Sequence, residues 1–203
     1  KNNGLGDITF SKDNLNEVFR TAENAFFDHY LSDRKLPDGM PRAKVFFTGE
    51  NRWADLSRWP LGDTTPHTLY LTGGGLLSSR LPDDNATPST YTSNPACPVP
   101  YNANAWHKRK AEYMVADQRF ASYRPDVLTY STPVLDKALT VAGPVKVKLW
   151  AATTSTDADF IVKLIDVQPD SSRLAGYQML VRFDVLRARF RNSMEKPSPL
   201  VPG

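Results

Sequence analysis

The sequence predicts a mainly β protein, a β-sandwich of the jelly-roll kind with long loops, preceded by one helix. Three observations predict it. From Ala43 onward, short runs rich in Val, Ile, Phe, Tyr and Thr recur between Gly, Pro, Asp and Asn clusters at irregular spacing, the pattern of a sandwich or jelly roll. Within one of them Phe160, Val162, Leu164 and Asp166 alternate with Ile161, Lys163, Ile165 and Val167, the period of two that a half-buried strand requires. Before Ala43 the period changes to three and four residues, which is helical.

Taken in order, the chain begins with a loop around Gly4 and Gly6. Leu15, Val18, Phe19, Ala22, Ala25, Phe26 and Tyr30 then form an amphipathic stripe, with Ser11 or Asp13 as N-cap and an end near Ser32, before Pro37 and Gly39. One helix cannot cover so wide an aromatic stripe. The rest of the sequence offers no second helix to pack on it, so a partner is expected.

The expected strands are AKVFFTG, HTLYLTG, DVLTYST, ALTVAG, PVKVKLWAATT, DFIVKLIDVQ and YQMLVRFDVL. Val145, Val147 and Leu149 alternate with Lys146 and Lys148, which predicts a strand lying beside the 160–167 run, with the polar Thr153 to Asp159 segment as the turn between them. Thr72-Gly73-Gly74-Gly75 reads as a hairpin turn, because a phosphate cradle would need a following helix and a lysine. The segment from Arg80 to Arg119 holds five prolines, and loops of that length tend to be functional or to pack against something else. The final RNSMEKPSPLVPG is polar and proline-rich, with no closing strand.

Composition narrows the function classes. Among 203 residues, 25 basic and 22 acidic side chains leave a net charge of +3, too even a balance for a partner held by bulk charge, so neither nucleic acid nor an anionic membrane is expected. No apolar run approaches the roughly twenty residues of a membrane helix, and no signal peptide is visible. The single cysteine, Cys97, allows neither an intrachain disulfide framework nor a thiolate metal cage, and no base stands beside it in NPACPVP.

Candidate reaction centres are sparse. His29, His67 and His107 are far apart and show no metal-binding spacing, so no metal site and no catalytic histidine is expected. Ser93, Ser122 and Ser131 have no neighbouring base. Asp157, Asp159, Asp166 and Asp170 invite a calcium reading, against which stands ordinary turn chemistry. Asp117, Arg119, Arg124 and Asp126 form a charged cluster that either pins the long loop to the sandwich or docks it onto another domain. Trp53, Trp59, Tyr101 and Trp106 are the prominent loop aromatics.

Four ordered blocks carry a resemblance. YTSNPACPVP (91–100), DQRFASYRPDVLTY (117–130), GPVKVKLWAATTSTDADFIVKLIDVQPD (143–170) and LRARFRNSMEKPSPLVPG (186–203) together resemble the C-terminal part of the CocE/NonD serine hydrolases. That family includes the α-amino acid ester hydrolases and glutaryl-7-aminocephalosporanic acid acylases and is related to the X-Pro dipeptidyl-peptidases. The resemblance implies an α/β-hydrolase domain with a Ser-His-Asp triad, followed by a jelly roll. Residues 1–40 would be the last helix and linker of the hydrolase domain, and 41–203 the jelly roll, incomplete at its C-terminus. The sequence contains no G-x-S-x-G, so the triad would precede Lys1 and no catalytic residue is assigned in this chain.

The resemblance further implies that the chain buttresses the active site of an enzyme cleaving small ester or amide substrates, of α-amino acid ester, acyl-peptide or β-lactam side-chain type. It implies no cofactor, a hydrolase domain of the same protein as partner, oligomer contacts as a further role, and a periplasmic or secreted parent. Tyr101 and Trp106 would line the substrate pocket, while Asp117, Arg119, Arg124 and Asp126 would dock the two domains. A second reading stays open: a free-standing jelly-roll module that binds carbohydrate or another ligand through exposed Trp and Tyr.

Overall fold

The computed structural model describes residues 3–10, 15–83, 85–104, 107–108 and 110–203. Its regular structure is mainly β, in four two-stranded antiparallel sheets with few helices. Chain contacts divide it into two compact units, Lys1–Asn94 with Pro125–Pro144, and Pro95–Arg124 with Val145–Gly203.

In the first unit, β1 (Gly4–Leu5) and β2 (Ile8–Thr9) form a minimal hairpin through Gly6 at φ 55°. Helix α1 spans Leu15–Ser32, as the apolar spacing predicts; the expected caps Ser11 and Asp13 lie outside the described residues. It stops where Asp33 turns into the left-handed region at φ 52°, a conformation that Asp tolerates and a helix cannot continue. His29 Nδ1 meets the Arg34 carbonyl at 2.6 Å and Arg34 donates to Asp28 at 2.9 Å, closing the C-terminal turn. The aromatic stripe packs on its own neighbours, with ring centroids 4.6 Å apart for Phe26–Tyr30 and 5.4 Å for Phe26–Phe27. None of the helix's described side chains is buried.

β3 (Ala43–Phe47) and β4 (Arg52–Leu56) pair in continuous register. Phe46 stands opposite Trp53, their centroids 5.2 Å apart, and Phe10 closes on Phe46 at 6.3 Å. β5 (Tyr70–Thr72) returns through the glycine run into β6 (Leu76–Ser78). Gly74 and Gly75 hold φ 72° and 73°, and a Cβ on Gly75 would come within 2.9 Å of the Thr129 carbonyl. The tight turn therefore needs glycine twice over. Ser131 joins this hairpin by a parallel bridge to Leu76, with hydrogen bonds of 2.8 and 2.9 Å to Leu77 and Gly75.

The second unit is built on β7 (Asp159–Val167) and β8 (Gln178–Arg187), a long antiparallel hairpin with one bulge between Leu164 and Ile165. Residues 116–118 lie antiparallel against β8: Gln118 N–H donates to the Gln178 carbonyl at 2.9 Å, and Leu180 N–H to the Ala116 carbonyl at 3.3 Å. Around this junction sit Val115, Gln118, Ala121, Tyr177, Met179 and Leu180, all buried, and Ala188 is buried at the hairpin's far end. A 3₁₀ turn (Ala111–Val115) leads into the junction and α2 (Arg119–Ser122) leads out of it.

The expected strand at 145–149 is not formed. β7 pairs with β8, reached through a short connection, and Val145, Val147 and Leu149 remain 53, 57 and 42% exposed. Alternation states that a segment can be a strand; a ladder also needs an available neighbour. Among the described residues no strand pairs with this one, nor with the expected ALTVAG strand, and of DVLTYST only Ser131 is bridged.

Candidate functional site

Of the sequence-predicted residues in 101–126, Asp117 and Arg119 meet at one node on β8. Asp117 accepts hydrogen bonds from Arg119 N–H (3.1 Å), Arg119 Nε (2.7 Å) and Gln178 N–H (3.2 Å). Burial pushes its carboxyl pKa up, but the Arg119 side chain and these backbone donors outweigh burial and hold it below the usual carboxylate value. Arg124 donates to the Cys97 carbonyl at 2.9 Å, tying the proline-rich segment to the end of α2. Asp126 falls in the other compact unit. The geometry thus joins Asp117 to Arg119 and fixes the loop on β8.

Between Asp117 and Arg119 lies a residue that sequence reasoning missed. Gln118 is 2% exposed. Its Nε2 donates to the Ala116 carbonyl at 2.8 Å and its Oε1 accepts from Lys163 Nζ at 2.6 Å, so both ends of a buried amide are satisfied. Lys163 Nζ also lies 5.5 Å from the Phe120 ring centroid, within cation–π range. Beneath them Tyr177 donates its buried hydroxyl to the Val115 carbonyl at 3.0 Å. Lys163 belongs to the readable alternation of β7, but its partner is 45 residues away.

Tyr101 packs its ring on Tyr113 (5.2 Å between centroids) and Phe183 (6.1 Å), and Tyr113 meets Phe183 at 6.3 Å. Tyr101 is 55% exposed. Its expected companion, Trp106, lies outside the described residues.

Three of the four acidic residues of the calcium reading are engaged otherwise, Asp166 accepting from Gln168 Nε2 at 3.1 Å. Asp157 pairs with Arg189 and Asp159 accepts from Arg187 Nε at 3.3 Å. The hydrogen bond from Arg189 lowers the Asp157 pKa. Arg191, next in the alternating series, donates to the carbonyls of Ser198 (2.8 Å) and Pro199 (3.0 Å). The proline-rich end is thereby held: Leu200 N–H donates to the Thr156 carbonyl at 2.7 Å and Gly203 N–H to that of Thr153 at 3.1 Å. Among the described residues no three His, Cys, Asp or Glu side chains are grouped as a metal site would require. His67 and His107 are exposed, and His29 caps the end of α1. No helix among the described residues is long and apolar enough to cross a membrane.

What this arrangement provides is a pinned loop, an aromatic cluster and an ammonium on one hairpin. Residues 37–203 match the X-Pro dipeptidyl-peptidase C-terminal non-catalytic domain, and the chain belongs to that family, the C-terminal domain of CocE/NonD-type hydrolases. It is similar to the cocaine esterase of Rhodococcus sp. (strain MB1 Bresler), 34% identical over 193 residues that make up 90% of this chain and 33% of the esterase. Among solved structures it is similar to an aminopeptidase from the marine sediment archaeon Thaumarchaeota archaeon (TM-score 0.87, 34% identity, 98% of this chain and 34% of that one). It is also similar to an α-amino acid ester hydrolase (TM-score 0.83, 34% identity, 100% of this chain and 35% of that one). The chain therefore spans about a third of the length of the relatives it matches.

Proposed function

We propose that this chain is the accessory C-terminal portion of a serine hydrolase acting on small esters or amides, of the α-amino acid ester, acyl-peptide or β-lactam side-chain type. In this reading residues 1–40 close the hydrolase domain that carries the Ser-His-Asp triad, and residues 41–203 form the jelly-roll part that buttresses it. The parent enzyme forms an acyl-enzyme on an activated serine, with histidine as base and an oxyanion hole for the tetrahedral intermediate. Tyr101 and Trp106 contribute to the wall of the substrate pocket, and Asp117, Arg119, Arg124 and Asp126 serve docking, Asp117 and Arg119 by fixing the loop that presents the surface.

One observation carries this reading beyond family membership. Phe19, Phe26, Phe27, Tyr30 and Leu31 on α1 are all exposed, at 48 to 77%. Apolar surface on that scale marks a place where more protein packs. A free-standing carbohydrate module would present a few aromatics, not an uncovered helix face.

The test is labelling. A fluorophosphonate probe and a chromogenic ester applied to this chain alone are expected to give neither a covalent adduct nor turnover, while the same probe labels a serine of the hydrolase domain in the whole enzyme. An adduct on a serine of residues 1–203 would overturn the assignment of the nucleophile, and tight binding to a glycan panel would favour the module instead.

A further inference from the structure

The β7–β8 hairpin presents one face whose charge is uncompensated. Lys163 and Phe183 are direct cross-strand partners, and side chains directly opposite in an antiparallel pair share a face. Beside Phe183 are the rings of Tyr113 and Tyr101, and beside Lys163 are Gln118 and the Phe120 ring. Three arginines of this unit have carboxylates: Arg119 has Asp117, Arg187 has Asp159 and Arg189 has Asp157. Lys163 has only the amide oxygen of a buried glutamine and an aromatic ring, and among the described residues no carboxylate pairs with it.

A half-buried ammonium with a single neutral acceptor pays a desolvation cost that nothing around it offsets; burial accordingly pushes the Lys163 pKa below the ordinary lysine value. Gln118 cannot move to relieve it, because its other end is bonded to Ala116 within the buried junction. The lysine is therefore held in place, next to a partly exposed aromatic cluster. Aromatic side chains are enriched at interface centres, and a charge held beside them needs an opposite charge when it is covered.

We propose that this face docks against the hydrolase domain and that an Asp or Glu side chain of that domain pairs with Lys163, with the Tyr101, Tyr113 and Phe183 rings covering the pair's apolar surroundings. The inference rests on the accessory-domain reading above and adds the chemistry of the contact. It requires an acidic partner, because a neutral or basic residue there would leave the ammonium desolvated and unpaired.

Zero-length carbodiimide coupling of the whole enzyme, followed by peptide mass mapping, tests it, since the reagent joins a lysine amine only to a carboxylate in contact with it. The expected product joins Lys163 to an Asp or Glu of the hydrolase domain. In a parallel measurement, Lys163→Met is expected to speed proteolytic separation of the two domains about fivefold, while Lys163→Arg, which keeps the charge, stays within about twofold of the parent. Cross-domain coupling at other lysines but not at Lys163 would overturn the inference and leave the accessory reading intact. Coupling of Lys163 within this chain or to a second copy would overturn it as well. If no cross-domain product forms at any lysine, the docking reading fails together with it.

Discussion

Val115, Ala121, Tyr177, Met179 and Leu180 are buried around the junction of residues 116–118 with β8, whereas the apolar stripe of α1 leaves Phe19 63% and Leu31 77% exposed. Both segments follow clear local patterns. The difference is that residues 116–118 find the edge of β8 within the same chain, bond to it through Gln178 and Leu180, and bring their side chains with them. α1 has the spacing of a core helix and, among the described residues, no surface that covers it. Local pattern selects the element, and the presence of a complementary neighbour decides whether its apolar side contributes to stability.

Substitutions separate the two regions. Leu180→Ala removes a side chain that is 5% exposed and is expected to cost about 3 kcal/mol in denaturant unfolding, in the range of buried leucine truncations. Phe19→Ala, at 63% exposure, is expected to change the stability of the chain by less than about 0.5 kcal/mol. Equal costs at the two positions would show that the stripe of α1 is covered after all. A smaller effect sharpens the picture of the junction: Tyr177→Phe deletes the hydroxyl bonded to the Val115 carbonyl and leaves that acceptor buried, for about 1 to 2 kcal/mol.

The smallest expected effect is a dependence on pH. The Asp117 carboxyl is lowered below its ordinary 3.8 against the effect of burial, and that of Asp157 is lowered by Arg189. For a carboxyl whose folded pKa is depressed, the stabilisation is present above the unfolded pKa and is lost as pH falls through the folded one. Unfolding midpoints are therefore expected to be flat with respect to these two groups above pH 5 and to fall below pH 3.8. Asp117→Asn should flatten part of that acid limb; an unchanged limb would remove Asp117 from the account.

Much of the fold was legible. The period-two alternation of 160–167 became β7, the expected strand YQMLVRFDVL became β8, the three- and four-residue stripe became α1, and the glycine run became the β5–β6 turn. Each rests on local sterics and side-chain direction, which a window of ten residues contains. The strand expected at 145–149 failed because pairing is a property of two segments. The site divided in the same way. DQRF announced an ion pair, and Asp117 and Arg119 form it two residues apart. Gln118 gave no signal, since a glutamine is ordinarily exposed and its acceptor role toward Lys163 spans 45 residues. The alternating Arg187, Arg189 and Arg191 were visible as a motif, but not their partners Asp159, Asp157 and the Ser198 and Pro199 carbonyls.

By itself the sequence determined most of the elements and the family, because these depend on residue type, period and ordered motifs. The tertiary structure alone decided that Gln118 is buried, that Lys163 lies opposite Phe183 and bonds to Gln118, and that the large side chains of the α1 stripe are exposed. Those are consequences of which distant segments meet, and contacts across tens of residues are set by the competition among all possible neighbours rather than by any one segment's composition.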